Sequence, residues 1–568
     1  MRINPISMVA LKPQFGIKKN SEVHFNYSTS PVEDSVSFKG GLKAKALNVP
    51  LAKAKFVANS LSTSTSGHRA EYLSENFTKD IVKLITLGVA GFATAEAAKN
   101  NKQPVVLIGG DTRVATRESL PEIKDTLLKQ GVNVIEIKDP VPTPLLAMAA
   151  KEQNVDLAVL MTASHNNWKD GGYNLVTKAG AIAPAEVTKE VAKEMEKLAV
   201  IGTYTENEVP TGTLTELDPF EMYRNNIMNG YINWDNIAKS GLKVYYDGLN
   251  GTGNYTVPKL LESFGIPYEN VKSKGQDGPN PTDGNLKMLK SEIAKSNDKL
   301  RVGLSNDGDA DRFGVVDEKG NFVNANDVIL LVGYHLAKNK GVKGAVIRSQ
   351  ATSMQLDKLA DNYGLKKFET PVGFKYIAED ILDLRKNGED ILVAGEESGG
   401  LTINNHIPEK DGVMAISLIM DLIATEGKPL SEILKNVKNE LGTAFVINNF
   451  SKDLRGLEDA DKIKSSILSK VDRLYNRAIN DCEDDLGDYH HTINSEKTAA
   501  TKKSMETYRK GGDGVKFVLT DGSTVLVRPS GTEPLVKCYI EATGADAGKA
   551  KDNADSLREY MEEFFEQI

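Results

Sequence analysis

From Thr65 onward, short apolar runs alternate with stretches of helical period along most of the chain. PVVLIGGD reads as a strand ending in Gly-Gly-Asp, and TRESLPEIKDTLLKQG behind it has the spacing of a helix. NVIEIKD and VDLAVLMTA supply two further strands. GLKVYYDGLNGTG opens a second round, with VPKLLESFG as its helix and KLRVGLSNDGDADR as a later strand. GVKGAVIRSQ, with LDKLADNYG behind it, opens a third round that closes near the helix ISLIMDLIATEG. Repetition of this kind predicts α/β domains with parallel or mixed sheets covered by helices.

Beyond Phe445 the texture changes to longer charged helices and a strand-turn-strand segment, GVKFVLTDGSTVLVRPS, whose Asp521-Gly522 pair is a natural hairpin turn. That predicts a fourth domain of α+β type, with the polar stretch DCEDDLGDYHHTINSEKTAA as an insertion or mobile loop inside it. The expected boundaries are an extension over 1–60, then domains over 61–230, 231–320, 321–444 and 445–568. The extension is assigned because its polar, Ser- and Lys-containing segments show no sustained period. LITLGVAGFATAEAA reads as a core helix, short of the ~20 apolar residues that cross a bilayer.

Composition narrows the class. The 568 residues are 40% hydrophobic and 26% charged, as in a soluble globular protein, and a net charge of -8 argues against a nucleic-acid surface. Cys482 and Cys538 stand in unrelated contexts, which argues against a disulfide scaffold or Cys-type zinc site and predicts a reducing, cytoplasmic compartment. MRINPISMVALKPQFG lacks acidic residues and a signal-peptide apolar region, leaving an organellar transit segment as the alternative. The expected partners are a small anionic molecule, with no nucleic acid and no membrane, on a monomer or small homo-oligomer.

The chemistry clusters at strand ends. Ser164, in MTASHNNWKDGG, lies at or just past the carboxyl end of its strand, where open α/β sheets hold ligands. In SNDGDADRFG, Asp307, Asp309 and Asp311 alternate along a turn after a strand, and three such carboxylates repel one another without a cation between them. Mg2+ or Ca2+ suits this all-oxygen set. A calcium loop of EF-hand type would place Glu318 at its twelfth position, but Arg312 stands at the sixth, where that loop needs glycine. Arg312 either bridges to a metal-bound phosphate or pins the loop. VRPSGTEP offers Arg528, Ser530, Gly531 and Thr532 as a dense set of phosphate donors. Weaker elements are TSGHR with His68 and Arg69, GDTR with Arg113, and GEESGG with Glu396, Glu397 and Ser398, whose carboxylates could accept from sugar hydroxyls. Lys375 and His406 are candidates for proton transfer or anion binding.

TSGHR, TASHN, GDADR, GEESGG and RPSGTEP, in this order, resemble the α-D-phosphohexomutase family over roughly residues 60–568. The resemblance implies three related mixed-sheet α/β domains plus a C-terminal α+β domain around a central cleft. It implies a phosphoserine at Ser164, with Arg69, His165 and Lys375 completing the catalytic set. It further implies Mg2+ on Asp307, Asp309, Asp311 and a phosphoserine oxygen. Arg312, Glu396, Ser398, His406, Arg528, Ser530, Gly531 and Thr532 would bind a sugar phosphate. GEESGG followed by HIPEKDG resembles the phosphoglucomutase branch, whose reaction uses glucose 1,6-bisphosphate as primer and intermediate. Phosphomannomutase or bifunctional activity is the nearest alternative, ahead of a phosphomonoesterase or an inactive sugar-phosphate-binding protein. Two positions depart from the family pattern: Asn167 stands in place of a usual proline, and Asn174 in place of a lysine.

Overall fold

A computed structural model describes residues 41–64, 67–228, 230–273, 278–442, 444–457, 459–481, 493–499, 514–530 and 535–567. The first domain is built on a six-stranded mixed sheet. Its parallel strands Leu214–Glu216, Asn133–Glu136, Val105–Gly110 and Leu157–Met161 lie side by side, and antiparallel Asp170–Val176 and His68–Glu71 extend the sheet. The second sheet runs Tyr268–Asn270, Lys243–Asp247, Arg301–Asn306, Phe313–Val316, Phe322–Val323, and its last two strands are antiparallel additions. The third runs Lys367–Thr370, Ala345–Ser349, Ile391–Glu396, Gly400–Ile403, again with only the last strand antiparallel.

One topological device recurs in all three. A buried parallel strand ends, a tight turn follows, and the chain returns antiparallel along the same strand. The turns so formed carry Ser164, then the three aspartates, then Glu397 and Ser398. The fourth sheet is antiparallel among its described strands, and Thr524–Pro529 likewise returns as Leu535–Thr543, with Ser530 entering the connection.

The sheet faces are buried for the reason the apolar runs suggest. A continuous hydrophobic core joins the first three domains, passing from Leu107 and Leu160 through Val244 and Leu304 to Val393 and the helix Gly412–Glu426. That helix is fixed at both ends: Asp411 accepts from the Met414 N–H at 2.8 Å, and Gly427 takes the left-handed conformation that ends it. The fourth domain has its own core around Phe517, Val527, Ile540 and Phe565. The helix Lys79–Lys99 is long and apolar enough to cross a membrane by length and composition, exceeding the sequence expectation, but most of its apolar stretch is buried inside the first domain.

The expected extension over 1–60 ends too late. Leu42–Ala46 pairs with Thr203–Asn207, and Leu51–Thr63 is a helix that buries Ala54, Val57, Ala58 and Leu61 in the first domain's core. Those positions follow the i, i+3, i+4, i+7 spacing of a helix face. The stripe is half alanine, so its apolar signal is faint, yet the small side chains let the helix pack closely on Ala185–Ile201. Residues 1–40, and most of the predicted insertion between Asp481 and Ala500, lie outside the described residues.

Two truncations should therefore behave differently. Residues 1–40 carry no sustained period and none of the chemical motifs, so their removal is expected to leave the melting temperature and activity unchanged, whereas removal through Thr63 should destabilise the first domain. Leu61→Ala alone should cost about 2–5 kcal/mol by denaturant unfolding. A wild-type transition in Leu61→Ala would show that the helix is not part of the core.

Candidate active site

Ser164 sits just beyond Leu157–Met161, buried at 2% exposure, with a left-handed φ of 51°. A non-glycine residue holds that conformation at a cost of ~1–2 kcal/mol and needs surroundings that enforce it. Arg113 supplies them. Its Nη2 donates to the carbonyls of Ser164 and Asn166, both at 2.7 Å, and its Nη1 donates to those of Asn167 and Asp170. Its Nε donates to Asp111 Oδ2 at 3.0 Å, which also accepts from Thr162 Oγ1; that hydroxyl in turn accepts from the Ser164 N–H at 2.8 Å. The Arg113 guanidinium also lies over the Trp168 ring, 5.3 Å from its centroid. Arg113 is thus a brace for the serine turn. On the far side, a Cβ at Gly308 would stand 2.6 Å from the Ser164 carbonyl oxygen, so only glycine admits this approach of the second domain.

Both sequence departures are accommodated. Asn174 is buried and donates to the carbonyls of Thr162 at 2.8 Å and Leu160 at 3.3 Å, securing the serine strand. Asn167 is exposed and offers its carbonyl to Arg113.

The Ser164 hydroxyl donates to Asp307 Oδ2 at 2.8 Å. Asp307, Asp309 and Asp311 are all buried, and each offers a carboxylate oxygen within 4.8 Å of the others. Burial pushes the Asp307 and Asp311 carboxyls above the usual range, and neighbouring Asp309 adds to both. Asp309 Oδ2 accepts from Thr143 Oγ1 at 2.8 Å, and Asp311 Oδ2 pairs with Lys410 Nζ at 2.5 Å. Asp309 Oδ1 and Asp311 Oδ1 are buried without a hydrogen-bond partner. Orphaned carboxylate oxygens beside two further acidic groups are the donor set of a hard divalent cation, and the cluster fits one. The EF-hand alternative fails, because Glu318 caps the helix Leu430–Leu441, accepting from the Ser431 N–H and Oγ.

Positive groups surround the serine. The Arg69 Nη1 donates to the Ala163 carbonyl at 3.2 Å, while the Nε atoms of Arg69 and Arg312 are buried without a hydrogen-bond partner. His165 Nδ1 lies 3.3 Å from Ser164 Oγ. Burial, together with Arg312, Arg69, Lys410 and Lys537, holds the His165 pKa well below the usual histidine value, so the ring is neutral near pH 7. The same cations make the pocket attractive to a multiply charged anion.

On the third domain, Glu396 ends its strand and accepts from the Gly373 N–H at 2.7 Å, tethering the loop that leads to Lys375. Burial and the Glu397 charge push its pKa up to about 7. Glu397 faces Ser349 Oγ at 3.1 Å, and Ser398 is half-buried in the turn. The turn is joined to the aspartate loop by the Phe313 N–H donating to the Gly399 carbonyl at 3.0 Å. Lys375 is the second residue of the helix Phe374–Lys386, its ammonium 5.2 Å from the Tyr376 ring centroid.

His406 differs from expectation. Its Nε2 bonds Asp411 at 2.7 Å and its Nδ1 bonds Asn226 at 3.2 Å, so both ring nitrogens are committed within the protein. Sequence reasoning passed over Lys410 in the same HIPEKDG motif, although the motif's lysine is the group the fold delivers to the aspartates. Burial would lower the Lys410 pKa, but Asp311 and Glu409 hold it above the usual value.

In the fourth domain, Arg528 is half-buried near the end of its strand. Ser530 donates its N–H to the Leu535 carbonyl at 2.9 Å and accepts from Lys464 through its own carbonyl. Gly531 and Thr532 lie outside the described residues. Tyr539, on the returning strand, lies in the combined field of Arg528, Glu397 and Glu396, which brings this strand near the turn after Glu396.

Four domain models of one family match the chain. They are phosphoglucomutase/phosphomannomutase alpha/beta/alpha domain I over residues 60–200, domain II over 221–320, domain III over 324–440, and the C-terminal domain over 493–559. A phosphoglucomutase/phosphomannomutase of Thermococcus kodakarensis is 30% identical over 487 residues, covering 84% of this chain and 92% of its own. A phosphoglucosamine mutase of Carboxydothermus hydrogenoformans is 28% identical over 471 residues, 81% of this chain and 90% of that one. The open form of Paramecium parafusin, a phosphoglucomutase, shares the fold with a TM-score of 0.71 at 22% identity, covering 92% of this chain and 97% of that one. A phosphoglucomutase/phosphomannomutase family protein from Burkholderia thailandensis gives 0.63 at 18% identity, covering 89% and 98%.

The cation site predicts a graded response. Asp309→Asn should abolish most divalent binding, and Thr143→Val, which only frees Asp309 Oδ2, should weaken it by about 10–100-fold. Calorimetric titration with Mg2+ reads both directly. Wild-type affinity in Asp309→Asn would remove the cluster as a metal site.

Proposed function

The chain belongs to the phosphoglucomutase/phosphomannomutase family, and from that premise we propose that it interconverts glucose 1-phosphate and glucose 6-phosphate through a phosphorylated Ser164. Membership makes it an intramolecular phosphotransferase of the phosphohexomutase type. The observation that carries the reading is the setting of Ser164: a hydroxyl 2.8 Å from Asp307, in a braced turn whose His165 lies in the field of Arg69, Arg312, Lys410 and Lys537. A binding protein would need the cations and not the strained serine.

Asp307, Asp309, Asp311 and an oxygen of phosphorylated Ser164 would hold Mg2+. When bound, the ion neutralises charge on the phosphoryl oxygens. The chain's own groups do the rest. Arg69 and Arg312 supply N–H donors to the same oxygens, at positions fixed before substrate arrives. Glu396 and Ser398 receive the sugar hydroxyls, and Arg528, Ser530, Gly531 and Thr532 grip the phosphate that is not being transferred. The sugar hydroxyl attacks the phosphorus of phosphorylated Ser164. The O–P bond to serine breaks as the new one forms, and a lysine accepts the hydroxyl proton. The resulting glucose 1,6-bisphosphate turns round in the cleft, and Ser164 takes back the other phosphate as that proton returns to the departing sugar oxygen. Lys375, over the Tyr376 ring, is the lysine assigned to the proton. Lys410, held as an ammonium by Asp311, supplies positive charge instead.

Preference for glucose rests on Glu397 within the GEES turn, where it is held by Ser349 and Thr352. The same reading places the enzyme in the cytoplasm, where the buried Cys538 remains a thiol.

Ser164→Ala should still bind sugar phosphate and lose nearly all turnover, since a methyl group can neither attack nor store phosphate. Intact-mass and peptide mapping of the wild type should find one phosphoryl group, on Ser164, that is discharged by substrate. With glucose 1,6-bisphosphate present, kcat/KM on glucose 1-phosphate should exceed those on mannose 1-phosphate and glucosamine 1-phosphate. Equal values for glucose and mannose would assign a bifunctional enzyme, and full activity without the serine would overturn the mechanism.

A further inference from the structure

The sheet of the fourth domain has two buried faces. Alternate residues Phe517, Val525, Val527, Cys538 and Ile540 belong to that domain's own core. Lys516, Thr524, Leu526 and Glu541 alternate with them on the other face, and they are buried as well. The third domain contributes to that covering. Lys516 Nζ pairs with Glu369 at 2.7 Å, and Glu541 accepts from the Met354 N–H at 2.9 Å and from the Ser353 hydroxyl.

Protein interiors leave few voids larger than a water molecule. Beside these contacts the two domains instead enclose a cavity of about 850 Å3, within the range of about 300–1,000 Å3 that small-molecule sites occupy. Asp521 and Gly522, at the hairpin end of the fourth sheet, line it, whereas Arg528 and Ser530 stand at the opposite end of the strand Thr524–Pro529. None of the residues assigned to the catalytic cleft contributes to its wall. The cavity is a separate place.

Its charges are unequally satisfied. Asp357 and Glu369 both accept from the Arg348 guanidinium, Asp361 pairs with Lys367 at 2.6 Å, and Asp521 accepts from the Ser523 N–H at 2.8 Å. Lys358, Lys497 and Lys549 also line the cavity, are exposed, and have no ion pair among the described residues. Three cations without counter-charges around one opening attract an anion, and the low-dielectric wall focuses their field. Deeper in, burial would raise the Glu369 carboxyl, yet Lys516 and Arg348 hold it down at about 2, so positive potential prevails there too. Met354, Phe445 and Val518 give the cavity an apolar side. A bare inorganic anion would use the lysines alone. A ligand with a flat apolar body and several negative charges uses both.

We propose that this cavity is a second ligand site, which takes a nucleoside di- or triphosphate with its phosphates at Lys358, Lys497 and Lys549 and its base against Phe445 and Met354. Lys358 belongs to the third domain, on the helix Gln355–Tyr363, and Lys549 to the fourth, on the helix Ala547–Glu566. The bound anion therefore ties the two domains together at a distance from the reacting groups.

Pyridoxal 5′-phosphate, an aromatic phosphate, tests the site on the wild-type, Mg2+-loaded chain. Its aldehyde condenses with a lysine amine, releasing water, and borohydride reduces the imine to a stable amine for peptide mapping. Labelling should fall on Lys358, Lys497 or Lys549 at least about 10-fold faster than on other exposed lysines, blocked by ADP and not by glucose 1,6-bisphosphate. Calorimetric titration with ADP, in glucose 1,6-bisphosphate throughout, should show binding that weakens about 10-fold or more in Lys358→Glu and in Lys549→Glu. Both variants should keep the wild-type kcat and KM for glucose 1-phosphate. Even labelling over the exposed lysines, protection by glucose 1,6-bisphosphate, or unchanged ADP affinity in both variants overturns the proposal. Competition by inorganic phosphate equal to that by ADP overturns the nucleoside assignment.

Discussion

Three carboxylates buried within 4.8 Å of one another set the terms for the whole molecule. At such separations in a medium poorer than water, like charges repel by several kcal/mol, and each has also lost its hydration. The fold answers by converging opposite charge and hydrogen-bond donors from different parts of the chain. Thr143 comes from the first domain, the Arg312 backbone N–H from the loop itself, and Lys410 from the third domain. Two oxygens are still left without donors. A site that remains short of positive charge after every domain around it has contributed is a site suited to a cation.

The repeated turn explains how one chain assembles such a cluster. A parallel strand buried on both faces presents its carboxyl end to the cleft, and an antiparallel return immediately behind it leaves a short, rigid connection. Polar residues in that connection are held on hydrogen-bonded strands rather than on long loops, so their positions are set by the sheet. The backbone bonds from Phe313 to Gly399 and from Gly412 to Ala310 then lock the second and third turns together. The serine turn has an added brace for its strained Ser164, which Arg113 provides with four carbonyl contacts.

Features local in sequence were legible. The strand before Ser164, the aspartate spacing and the donor-rich VRPSGTEP each place their chemistry within a few residues, and the structure describes the first two where the pattern predicts them. What escaped depends on partners distant along the chain. Lys410 is one more lysine until Asp311 meets it, and His406 looked available because Asp411 and Asn226, which occupy it, come together only in the fold. Arg113 looked ligand-facing, being at a strand end, and is consumed by the serine turn instead. The helix Leu51–Thr63 was missed for a different reason: half its buried stripe is alanine, which packs well but adds little apolar signal.

The distribution of cores also bears on how the chain is made. One face of the first domain closes over a core that draws on residues between Val49 and Met195, available early in synthesis. Its other face shares a core with the second and third domains that draws on residues out to Leu441. A growing chain therefore carries one finished surface and one unfinished apolar surface until the third domain has emerged, and only then can the aspartate loop be covered. The fourth domain, with a core of its own, arrives last. A nascent chain thus acquires Ser164 first and the strand end at Arg528 and Ser530 last, so an arrested or truncated product would carry the serine turn without that strand.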